Sequence, residues 1–380
     1  MITMESKIPT NWIKQENFVF AASLAYLKYR VNKQDNPTTL IAQYHLFKVL
    51  DDETAIVKVD RKLETYIATL APLEDSGYQA GDCFAVTCYA FFKGWLSNNP
   101  DKFNSLVMSR LEVAALSNWF DDPELASLIL QILPNDSHLH SKAQNYFTKN
   151  IQTWLKKKHL LGIIFYALRF REEDDAYTQA SEYMEKANWA EQDIRLQSLA
   201  LTYFQQTNHT NITIQNTLAT LIYNKLNSSQ AIAKIMCLLS DSQEKSNHTN
   251  PSSMTDYEIA IALIALHQAS FDKIIGFRNP KSTELDVFIN HQEKIQQGGS
   301  YISTWNLRFY EASVLIALFA ILIFLTQIVD LPDVGPIAGA IVENIVGAIF
   351  FIAGLGFLRR IRPSEVITKE IFGIESAKNE

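Results

Sequence analysis

Glu343 and Asn344 sit side by side in the stretch Gly339 to Phe351, which is otherwise apolar. In a hydrocarbon setting an ionisable side chain marks either the edge of the bilayer or a working position inside it, because burying its charge there is costly. Other residues able to do chemistry are sparse. His138 and His140 form an H-x-H pair in the polar stretch PNDSHLH without acidic or cysteine partners in local register, so surface histidines are expected rather than metal ligands. His45 and His267 lie in apolar helical runs, where hydrogen-bonded core histidines are expected. Cys83, Cys88 and Cys237 are an odd number spread through apolar helical patterns, which fits buried, reduced thiols. A Gly-rich phosphate loop, H-E-x-x-H and G-x-S-x-G are all missing from the sequence. No catalytic residue, cofactor or metal is therefore expected.

The elements that would carry Glu343 and Asn344 are two apolar runs near the C-terminus. The first, Ala312 to Val329, has 18 residues and no charge. As a helix it spans about 27 Å, close to the ~30 Å hydrocarbon thickness. The segment DLPDVGP follows, with Pro332, Gly335 and Pro336 as turn-makers and Asp330 and Asp333 as its charges. A second run over residues 338–358 ends at Arg359, Arg360 and Arg362. The pattern predicts a transmembrane hairpin at 312–329 and 338–358. Arg308 and the three closing arginines flank the hairpin, and only acids occupy its turn, so both chain termini are expected on the cytoplasmic side. Tyr301, Trp305, Phe309 and Tyr310 suit the headgroup level in the linker 298–311.

Glu343 falls on the order of 8 Å inside the second helix at 1.5 Å per residue. That shallow depth leaves two readings: an interfacial residue capping the hairpin, or a polar ring lining a pore between several hairpins. Ala340, Gly347 and Gly354 recur every seven residues, and Gly335 with Gly339 forms G-x-x-x-G. Such small-residue stripes let backbones approach closely in lipid, within one hairpin or between copies in a homo-oligomer.

Residues 1–297 read as a helical domain. Apolar residues recur at three- and four-residue spacing from Asn17 to Ala269. Seven stretches share one scheme, a polar opening followed by a dense apolar run, and they begin at Asn17, Thr38, Asp82, Asp122, Asp193, Ser229 and Asp256. The opening residues are expected to cap helices, with Pro123 in a first turn and Thr255-x-x-Glu258 forming a capping box. Helices too apolar to stand alone must stack on neighbours, which predicts an α/α superhelix or toroid. The starts are 21 to 71 residues apart, so the repeat is degenerate. The loop Ser240 to Ser253 is the expected mobile segment.

Leu161-Gly162 followed by Ala180-x-x-x-Met184-x-x-Ala187 resembles fragments of a tetratricopeptide repeat over about one unit, without its closing proline. Asn118-Trp119 and Asn188-Trp189 ahead of aspartate starts resemble α/α toroid proteins such as isoprenoid cyclases and prenyltransferases. That resemblance implies an aspartate-rich motif, but FDDPEL has Leu125 where the third acid would stand, and REEDDA at Arg171 to Ala176 reads as an exposed cluster between helices.

A net charge of −7 and a pI of about 5.7 argue against nucleic acid as the main partner. The one basic run, Lys156 to His159, reads as a solvated helix face, with lipid or nucleic-acid contact as the alternative. The N-terminal stretch carries acids and a proline and no apolar core, so it is not expected to be a secretory signal. The expected protein is all-α, with a cytoplasmic domain (1–297) that binds a protein partner and a hairpin (312–358) that fixes it to the lipid bilayer, ending in a cytoplasmic tail (359–380). The alternative is a membrane effector whose hairpins assemble into a pore, with Glu343 and Asn344 at the constriction. A membrane-bound toroid enzyme acting on a lipidic substrate is a third, weaker class.

Overall fold

The computed structural model describes residues 10–70, 80–116, 122–170, 175–207, 211–239 and 251–279. The chain divides into two units, residues 1–237 with 242–282 and residues 238–241 with 283–380. The described helices make up the first unit, with only the last two residues of one helix passing out of it. The 312–329 and 338–358 runs, the linker and the tail lie outside the described residues, as does most of the loop Ser240 to Ser253. No helix among the described residues is long and apolar enough to cross a membrane.

The described chain is all-helical, as its apolar spacing predicts. Its N-terminal part comprises α1 (Thr10–Arg30), α2 (Pro37–Val49), α3 (Glu53–Thr69), α4 (Ala80–Phe92), α5 (Trp95–Asn98), α6 (Pro100–Phe103) and α7 (Ser109–Leu116), with a π-helical turn at Asn104–Met108. The middle part comprises α8 (Pro123–Ile132), α9 (His138–Lys157), α10 (Leu160–Arg169) and α11 (Asp175–Glu185). The remainder comprises α12 (Ile194–Gln206), α13 (Ile212–Asn227), α14 (Gln230–Leu239), α15 (Asp256–Gln268) and α16 (Phe271–Ile274).

Local capping explains where several helices begin. The carboxylates of Asp122 and Asp193 accept from the amides of Glu124 and Leu196 at 2.9 and 2.8 Å, and Pro123 opens α8. Thr255 and Glu258 form the reciprocal capping box: Thr255 Oγ1 accepts from the Glu258 amide at 3.2 Å, and the Thr255 amide donates back at 2.8 Å. Each such cap satisfies backbone N–H groups that have no partner within the helix.

Four expected starts differ. Helix α1 runs straight through Asn17, because it begins a full two turns earlier at Thr10. Asn36, not Thr38, caps α2, with Pro37 in its first turn. Asp82 and Asp256 lie inside the first turns of α4 and α15 and use their carboxylates for tertiary contacts instead. His138 and His140 are not in a loop. They form the first turn of α9.

Helix α15 is apolar on every side, which suits only a position enclosed by other elements. Ile259, Ala260, Ala262, Leu263, Ile264, Ala265 and Leu266 are all buried. Helices α1, α2, α12, α13 and α16 surround it. In an open solenoid each repeat touches only its neighbours, whereas here α15 packs on α1 and α2, which stand more than 200 residues earlier. Around α10 a second cluster forms from α8, α9 and α11. Phe147, Trp154, Tyr166 and Phe170 meet there with ring centroids 4.7–6.5 Å apart. Gly162 is required at that point: a Cβ on it would stand 2.5 Å from Trp154 Cδ2.

Candidate functional site

Every residue that the sequence singles out for function lies outside the described residues: Glu343 and Asn344, the packing residues Gly335, Gly339, Ala340, Gly347 and Gly354, and the topology markers Arg359, Arg360 and Arg362. The described helices hold their polar chemistry elsewhere, chiefly around the first turn of α15.

There the buried helix sends three consecutive side chains in three directions. Asp256 Oδ2 accepts from Arg30 Nε and Gln34 Nε2, both at 3.0 Å, and so holds the end of α1. Tyr257 donates to Glu124 Oε1 at 2.8 Å, reaching α8. Glu258 closes the capping box. Glu124 also forms a charge-assisted hydrogen bond with Arg195 of α12, so one carboxylate ties together α8, α12 and α15. Its place at the second position of α8 follows from the Asp122-Pro123 cap just before it.

Electrostatics in this cluster oppose one another. Burial pushes the Glu124 carboxyl above its ordinary value, against the pull of Arg195 and the Tyr257 hydroxyl. Burial also works against the Arg195 charge, yet Glu124 and its neighbours leave that guanidinium above its ordinary value. The charged Arg195 is the firmer of the two, and the pair roughly offsets its own desolvation rather than adding a large gain. Burial and then Glu124 raise Tyr257, keeping it a phenol that donates. Cys88 lies close enough for Glu124 to contribute to its shift; burial drives its thiol well up, so it stays protonated and inert. The expectation of buried free thiols holds for Cys83 and Cys88.

Similar fasteners join other helices. Lys28 and Asp52 form a buried ion pair at 2.5 Å, with Asn279 donating to Asp52 and accepting from Lys28. Tyr89 of α4 and Lys93 just past its end both donate to Asp60 of α3, at 2.6 and 3.0 Å. Tyr66 donates to Asp82, which is what that aspartate does in place of capping. His267 Nδ1 lies 2.8 Å from Asp272 Oδ2, so this histidine is hydrogen-bonded as expected. His45 lies against Phe92 in a tilted arrangement with centroids 5.0 Å apart, and burial lowers its pKa to about 4, with Lys48 adding to the shift.

These arrangements fasten helices together. Among the described residues, no group of three or more His, Cys, Asp or Glu is placed to hold a metal ion. Sequence reasoning missed the role of Glu124, Arg195 and Tyr257. The available signal was Glu124 itself, an acid in the first turn of an apolar helix, but its partners lie 71 and 133 residues away. Comparison of the chain with protein-family models, with curated proteins and with solved structures finds no match.

Proposed function

We propose that this chain is a membrane-anchored helical-repeat protein that binds a protein partner at the cytoplasmic face. The single observation behind this reading is a division of labour in the sequence. Residues 312–329 and 338–358 are long and apolar enough to span a bilayer, whereas no described helix is. Polar contacts spent on fastening the described helices favour binding over turnover. Helix α15 is buried among α1, α2, α12, α13 and α16, and nothing among the described residues favours the enzyme reading.

Alkaline extraction of membranes tests the anchor: the full chain should stay with the pellet, and a chain with 312–358 removed should be released. Release of the intact chain would remove the proposal. Exchanging 312–358 for an unrelated hairpin should leave partner binding unchanged.

Glu343 and Asn344 favour a second reading, in which hairpins of several copies form a pore with these residues at its constriction. Single-channel currents in a planar bilayer that are abolished by Glu343→Ala would support it. The absence of any current from the intact chain would end it.

A further inference from the structure

Residues 137–170 contain no acid and carry Lys142, Lys149, Lys156, Lys157, Lys158 and Arg169 in a protein of net charge −7. Most of these cations belong to α9. Its inner stripe is Leu139, Ala143, Phe147, Ile151 and Trp154, all buried. The opposite face carries His138, Asn145, Lys149, Gln152 and Lys156, all exposed. Lys157 and the left-handed Lys158, at φ 57°, extend the positive charge around the turn into α10. Lys142 differs, for its ammonium folds back onto the carbonyl of Ala115. Lys149, Lys156, Lys157 and Lys158 form no ion pair among the described residues.

We infer that the outer face of α9 is a docking surface for an anionic bilayer, held by lysine–headgroup attraction without insertion. Its composition argues for lipid over protein. Protein interfaces are depleted in lysine and enriched in aromatic residues and arginine, whereas this face pairs lysine with small uncharged polar groups and has no exposed large apolar side chain. A 20-residue helix offers its charges along about 30 Å, which suits a fluid sheet of headgroups. The absence of an exposed apolar stripe excludes the wedge-like mode of an inserting amphipathic helix. The inference is independent of how the hairpin behaves, although an anchored chain would meet such a surface at high effective concentration.

The test uses the full-length chain, placed in nanodiscs of uncharged phosphatidylcholine and then floated with separate vesicles. Vesicles containing phosphatidylserine should capture it, and vesicles of phosphatidylcholine alone should not. About 1 M salt, where the Debye length is ~3 Å, should release it. Each Lys→Gln change at 149, 156, 157 or 158 should weaken capture roughly fivefold, and Lys273→Gln should leave it unchanged. A chain that enters nanodiscs yet ignores phosphatidylserine overturns the inference and spares the anchor. A chain that stays out of nanodiscs yet floats with phosphatidylserine does the reverse. Capture by duplex DNA in preference to phosphatidylserine vesicles would overturn the lipid assignment.

Discussion

Arg30 and Asp256 are 226 residues apart in sequence, and their side chains meet at 3.0 Å. That contact ties the end of α1 at Arg30 to the start of α15 at Asp256. The Asp256 carboxylate is nearly inaccessible, and its hydrogen bond raises the Arg30 pKa above its ordinary value. Asp256→Ala should cost about 2–4 kcal/mol, since it strands the Arg30 and Gln34 donors. Urea unfolding should show a lower midpoint, and amide exchange should quicken at the end of α1 before it does in α10.

Gln43 of α2 is completely buried, and neither its amide nitrogen nor its oxygen meets a protein partner among the described residues. Burying an unsatisfied amide costs on the order of 1–3 kcal/mol. Gln43→Leu, similar in volume, should therefore raise the thermal midpoint. An unchanged or lower Tm would show that the amide is satisfied in solution.

Buried Glu16 and half-buried His45 bend the pH dependence in opposite senses. Burial pushes Glu16 up to about 7 from 4.5, so its neutral form suits the fold; stability is full below pH 4.5 and declines as pH rises toward 7. His45, lowered from 6.5 to about 4, contributes stability above pH 6.5 that is lost as pH falls toward 4. The two slopes overlap and partly cancel between about pH 4.5 and 6.5. Glu16→Gln should remove the alkaline decline and expose the acid loss due to His45. Denaturation midpoints measured across pH 4 to 8 would reveal it.

In the Glu124 cluster, the partners should behave non-additively. Tyr257→Phe removes one hydrogen bond and should cost about 1 kcal/mol. Arg195→Leu leaves a buried carboxylate without its counter-charge and should cost about 3–5 kcal/mol. Adding Glu124→Leu to Arg195→Leu should recover much of that loss. A double-mutant cycle reporting zero coupling would contradict the geometry.

Gly162→Ala should destabilise by about 1–3 kcal/mol, because the new methyl group collides with the Trp154 ring. Trp154→Leu should relieve that penalty in the double variant, and near-ultraviolet circular dichroism would follow the tryptophan.

What the sequence made legible follows from how local the cause is. Asp122, Asp193 and the Thr255–Glu258 box act within one turn, and their pattern alone placed three helix starts. Asp82 and Asp256 show the same letters used for distant partners, and no local pattern separates a cap from a tether. Asn17 opened an apolar run, but the helix continues through it because nothing before it terminates α1. The pairing of α15 with α1 and α2 depends on shape and burial between segments far apart in sequence. The same holds for the Glu124 cluster, while the expected pore and packing residues fall beyond the described chain.

The position of α15 has a consequence for biosynthesis. A ribosome that has finished α14 at Leu239 has yet to release the helix on which α1, α2 and α12 converge. At about 5–20 residues per second, roughly ten to forty seconds separate the emergence of α2 from that of α15. Throughout that interval the sticky flanks of the nascent polypeptide, Phe20 and Phe47 among them, await their counterpart. The order of the helices thus leaves that apolar surface without its late partner for the whole interval, the condition in which nascent chains are prone to aggregate.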